Sequence, residues 1–117
     1  MNAGLERLLT IRKEMDCIEA VDENIYRLKA YITQSIELIR GSEVLAQEAK
    51  ERYARDLEYE LTHYLEEDIK NAPNKRSRQV AFEQARNNAL LWIKGAIHKI
   101  MNTRLTRRSR FSSSQAA

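Results

Sequence analysis

AGLERLLTIRKEMDCIEAVDENIYRLKAYITQSIELIR, residues 3–40, carries the reading of the fold. It contains no proline and, past Gly4, no glycine. Leu8, Ile11, Met15, Ile18, Ile25, Ile32, Ile36 and Ile39 follow a three-four spacing that draws one apolar seam along a helix, interrupted at Asp22 and Lys29. Two arrangements fit. One continuous helix can span the whole stretch. Alternatively the chain breaks at Val21-Asp22, with Asp22 as N-cap and Val21 packed on Tyr26. The third residue after Asp22 is Ile25, so no Glu or Gln closes a capping box. The continuous helix needs fewer assumptions and is the expectation. The fold class is all-α: an elongated bundle of three long helices, or four if the first breaks near Asp22.

Beyond this stretch, Gly41-Ser42 reads as a stop and a start: Gly41 can take the left-handed conformation after a helix, and Ser42 can cap the next one. That helix is expected to reach about Lys70. Its apolar row, Leu45, Ala49, Tyr53, Leu57, Leu61, Leu65 and Ile69, is spaced strictly by four. At about 100° per residue each step advances the row by about 40°, so its two ends should face different neighbours. Pro73 interrupts the chain and Ser77 can cap a last helix over 78–105. Phe82, Ala85, Ala89, Ile93, Ala96, Ile97 and Ile100 form its main face, with Leu91 on the opposite side. Strand alternation never persists. Residues 1–105 therefore read as one helical-bundle domain, and 106–117 as a basic, disordered tail without apolar periodicity.

Charge is divided unevenly. Residues 1–70 carry 10 Lys and Arg against 16 Asp and Glu, whereas residues 71–117 carry 10 against Glu83 alone, net −6 and +9. An acidic body with a basic arm points to a polyanion or an acidic protein as partner. The phosphate-binding inventory is Lys75, Arg76, Arg78, Arg104, Arg107, Arg108 and Arg110, with no base-reading motif, so binding would be sequence-tolerant. Trp92, Ile93, Ile97 and Ile100 opposite Lys94, His98 and Lys99 could also lie on a membrane surface, but they read better as bundle core.

Most catalytic chemistry lacks its residues. The three glycines are isolated, so no phosphate-cradling loop exists. Glu60 and His63, at i and i+3, are half of a di-iron carboxylate motif, but the other half is missing. Cys17 stands between Asp16 and Glu19, which disfavour a thiolate, and reads as a small packing residue. A lone cysteine and the absence of a leader-like N-terminus fit a cytoplasmic, nuclear or nucleoid setting. No catalytic residue, metal site or cofactor is expected.

Ile11-Arg12-Lys13-Glu14-Met15-Asp16-Cys17-Ile18-Glu19 resembles the first helix of the all-helical chorismate mutases. The resemblance implies an enzyme that binds a small dicarboxylate through Arg12, Lys29, Arg40 and Arg52. Fixed cations suit a dianionic substrate and its polar transition state. The sequence departs from the family at Tyr53, where a glutamate follows the fourth cation, and at Asn88, which matches a late glutamine or glutamate only loosely.

The leading expectation is a non-enzymatic accessory or adaptor subunit. It would bind a protein partner, or a second copy, through Ile25, Ile32, Ile36, Leu91 and Trp92, and a polyanion, nucleic acid foremost, through its basic C-terminal region.

Overall fold

A computed structural model describes residues 3–116, with side chains described as far as Thr103. The architecture is an all-α bundle of four helices, with no strand among the described residues. The first break decides this count. Helix α1 (Ala3–Cys17) ends before the seam does, a short 3-10 turn follows (Asp22–Asn24), and α2 (Ile25–Arg40) runs back alongside α1. The continuous helix is therefore not formed. Its competitor wins because folding the seam on itself lets Leu8, Ile11 and Met15 share one core with Leu28, Ile32 and Ile39, all nearly or fully buried. Each such side chain contributes about 1.5–3 kcal/mol on burial. The few helical hydrogen bonds given up contribute about 1 kcal/mol each.

The carbonyls released by the break find new partners. Ile18 O accepts from Arg86 Nη1 at 3.0 Å. Glu19 O accepts from Val21 N at 2.9 Å and from Asn24 Nδ2 at 3.0 Å. The local devices expected at this break are absent: Asp22 makes no capping bond, and Tyr26 is 84% exposed rather than packed on Val21. Asp22 instead receives Arg78.

The next connection also differs in detail. Gly41 closes α2 at φ −84°, not in the left-handed region, and its N–H donates to Glu37 O. Ser42 Oγ accepts from the Val44 and Leu45 N–H groups, both at 3.2 Å. It therefore stabilises the connection, and the helix itself begins five residues later. Helix α3 (47–71) has three parts: α-helical Gln47–Glu60, a π-helical stretch Leu61–Asp68, and a last turn Ile69–Asn71. The Ile69 N–H donates to Tyr64 O, five residues back. A π-turn advances less per residue than an α-turn. It counteracts the drift of the four-spaced row, so Leu57 and Leu65 are both buried and Leu61 and Ile69 pack against the same core.

Helix α4 (Lys75–Ala116) starts three residues before the expected position, because Asn74 rather than Ser77 caps it. Asn74 Oδ1 accepts from Ser77 N at 2.8 Å and from Ser77 Oγ at 3.0 Å. Its expected inner face is buried throughout, with Ala85, Ala89 and Ala96 fully covered where small side chains admit a neighbouring helix closely. The helix continues beyond Leu105, since no glycine or proline after Gly95 stops it. The disorder expected of the 106–117 tail, and the domain boundary at 105, fall where side chains lie outside the described residues.

Candidate functional site

The first turn of α4 carries Lys75, Arg76 and Arg78 and no acid, an unfavourable set at the positive end of a helix dipole. Arg78 is compensated: its Nε and Nη2 donate to Asp22 Oδ1 and Oδ2 at 3.2 and 3.3 Å. Arg86, through Ile18 O, is likewise committed to the fold. Lys75, Arg76, Lys94 and Lys99 are exposed, and among the described residues no carboxylate stands within ion-pair reach of them. Of the expected phosphate-binding set, Arg78 is thus paired within the chain while remaining partly exposed, and Lys75 and Arg76 face solvent. The side chains of Arg104, Arg107, Arg108 and Arg110 lie outside the described residues.

The expected protein-binding residues separate in the same way. Ile32 and Ile36 are buried in the chain's own core, and Ile25 and Trp92 are half-buried against it. Leu91 alone of the five is free, at 65% exposure.

One polar constellation escaped the sequence reading in its full form. Glu60 is only 5% exposed, at the junction where α3 passes from α- to π-helix. Asn88 Nδ2 donates to its Oε2 at 3.2 Å. The Trp92 indole N–H is buried close to this carboxylate without reaching a well-formed hydrogen bond. Burial pushes the Glu60 carboxyl above its ordinary value, Asp56 adds to this, and Asn88, Trp92 and His63 offset it only in part. Over the π-stretch, the His63 ring stacks on Tyr59 at 4.9 Å and meets Tyr64 edge-on at 4.7 Å. The Glu60–His63 spacing was legible; burial of Glu60 and its pairing with Asn88 across 28 residues were not, because no local pattern encodes them.

No group of three or more His, Cys, Asp or Glu that could hold a metal ion occurs among the described residues. Cys17 is exposed at the end of α1, so it is not the packing residue expected. The cations that the chorismate mutase resemblance implies are not gathered around a described concavity. Arg40 pairs with Glu58 at 2.7 Å, Lys29 Nζ lies 6.0 Å from the Tyr26 ring centroid, and the described grooves are lined by other residues. Among the described residues no helix is long and apolar enough to cross a membrane. Comparison of the chain with protein families, with curated proteins and with solved structures finds no match.

Proposed function

We propose that this chain is a non-enzymatic helical adaptor whose basic C-terminal helix binds a polyanion, nucleic acid foremost, while its helices engage a protein partner. The observation that carries the reading is the set of uncompensated cations on α4. Lys75, Arg76, Lys94 and Lys99 are exposed without carboxylate partners, on a helix whose only acid is Glu83. Cations that served only internal balance would be paired, as Arg78 is with Asp22. The same helix leads directly into Arg104, Arg107, Arg108 and Arg110, so basic residues accumulate along it in sequence. Backbone-directed binding of this kind needs phosphates and not a particular sequence.

The test is binding of the full chain to a fluorescent DNA duplex and to an RNA of equal length, across about 50–200 mM salt. Each neutralised phosphate contact adds about 0.9 to the log–log salt slope for duplex DNA. Replacing Arg107, Arg108 and Arg110 by alanine should flatten that slope by roughly 2 to 3, evenly across sequences. No binding at the lowest salt, or an unchanged slope, refutes the polyanion reading.

A further inference from the structure

The junction between the α- and π-helical parts of α3 falls on a buried carboxyl group. Glu60 is the last α-helical residue, the π-stretch starts at Leu61, and the Glu60 side chain lies inside the bundle. Asn88 Nδ2 donates to it at 3.2 Å, and the Trp92 indole N–H beside it is buried and unpaired. The charged groups that act on it come from its own helix: Asp56 opposes its ionised form and His63 favours it. The Tyr64 phenol, one turn on, is held protonated in part by the Glu60 charge. From α4 come only the neutral Asn88 and Trp92. Among the described residues no lysine or arginine acts on Glu60, and Arg40 of α2 is paired with Glu58 instead. An ionised carboxylate without such a partner is strongly disfavoured in an apolar interior.

The segment that follows is lightly held. Over 61–71 only Leu65 is buried, with Leu61, Tyr64 and Ile69 half-buried. A π-helical run of eight residues is long for this rare conformation. The segment ends in a joint, where Ala72 leaves the helix for extended backbone before Pro73. A groove of about 550 Å³, lined by Tyr64, Asp68, Val80 and Gln84 among others, already parts it from α4. Gln47–Glu60, by contrast, is anchored by Ala54, Leu57 and the Arg40–Glu58 pair. Segments with few buried apolar contacts open at a lower free energy than the whole fold. We propose that Glu60 is the latch of a proton-controlled opening: while it carries its proton, residues 61–71 stay closed on α4, and when it releases the proton this segment detaches with the rest of the bundle still folded. Opening brings the carboxylate to water. Burial holds the closed carboxyl above its ordinary 4.5, so opening releases one proton; it becomes more frequent as pH rises from that value to the raised one, and then levels off. The latch requires neither the polyanion nor the protein partner.

Amide hydrogen exchange of the full chain, corrected for intrinsic rates, reads the opening residue by residue. Upward from pH 4.5 the protection of 61–71 should fall by up to about tenfold per pH unit and then reach a plateau, while the amides of Ile11, Ile32 and Ile93 in the core keep theirs. The emission of Trp92, the only tryptophan, should shift to the red over the same window as its indole is wetted. Glu60→Gln keeps an acceptor for Asn88 and has no proton to lose, so it should hold 61–71 protected throughout. His63→Gln should leave the pH dependence in place. Protection of 61–71 that is constant across the window in the wild type overturns the proposal. So does an equal fall at Ile11, Ile32 and Ile93, which would mean global unfolding alone. A pH dependence that survives Glu60→Gln, or that vanishes with His63→Gln, overturns it as well.

Discussion

Arg86→Met tests the feature on which the four-helix count depends. The substitution keeps an unbranched stem of similar reach and removes the guanidinium that donates to Ile18 O at 3.0 Å. Ile18 is buried, so water cannot readily replace the lost donor. A hydrogen bond from a charged group contributes about 1.5–3 kcal/mol. At this length each kcal/mol corresponds to about 4 °C of melting temperature. A fall of about 8 °C is therefore expected, read by thermal denaturation followed with circular dichroism. Asp22→Asn is the internal control. It weakens an ion pair whose partners are both substantially exposed, contributing about 0–1 kcal/mol and diminishing with salt. The reasoning turns on the difference between the two variants. In a continuous first helix, Ile18 O would accept from the backbone four residues on, and Arg86 would have no acceptor there. If Arg86→Met melts within about 2 °C of the wild type, or no lower than Asp22→Asn, the account of the break is wrong.

Three further outcomes follow from the same structure. Val21 sits at φ −124°, well outside the proline range near about −65°, and its N–H is bonded to Glu19 O, so Val21→Pro should destabilise by at least about 1 kcal/mol through the displaced backbone and the lost bond together; a melting temperature equal to that of the wild type would contradict this geometry at the break. Burial raises Glu60 above its ordinary 4.5, so the folded state retains a proton that the unfolded chain releases. Stability from this group is complete below that value and is lost as pH rises through the raised one; urea titrations of Glu60→Gln should show a gain at neutral pH and a flatter profile over that window, and a variant less stable than wild type at pH 7 contradicts it. A methyl group at Gly95 would meet Tyr53 Cε1 at 3.4 Å, close to ordinary contact, so Gly95→Ala should stabilise the protein by up to about 1 kcal/mol through helix propensity, and a lower melting temperature would mean that Tyr53 cannot yield.

Periodicity made the elements and the core legible. The inner face of α4 is buried as its spacing requires, and both halves of the 3–40 seam lie in the core. What periodicity could not decide is whether a seam faces another molecule or the other half of itself. Asp22 and Lys29 looked like charged gaps in one interface, whereas Asp22 marks the turn that divides it. Caps were misplaced for a related reason. Ser42 and Ser77 are competent capping residues, but the positions taken depend on which donors the chain path brings near, and Asn74 reached them first. Among the described members of the cation set, Lys75 and Arg76 face solvent while Arg78 is paired within the chain. The division of the set into structural and free members was not legible, because Arg78 and Arg86 act across 56 and 68 residues. The same distance hid Asn88 from Glu60.

The π-stretch of α3 has a consequence for how this chain can change over generations. In an α-helix, gaining or losing one residue swings everything downstream by more than a quarter of a turn and scrambles the buried face. A helix that already holds a wide turn can take up such a change by tightening or loosening that turn, leaving the segments on either side in phase. Leu61–Asp68 is thus the place where insertions and deletions of single codons are least disruptive. Gln47–Glu60, on the same helix and in the same bundle, has no such tolerance. Among distant descendants of this sequence, length differences within α3 belong around Tyr64.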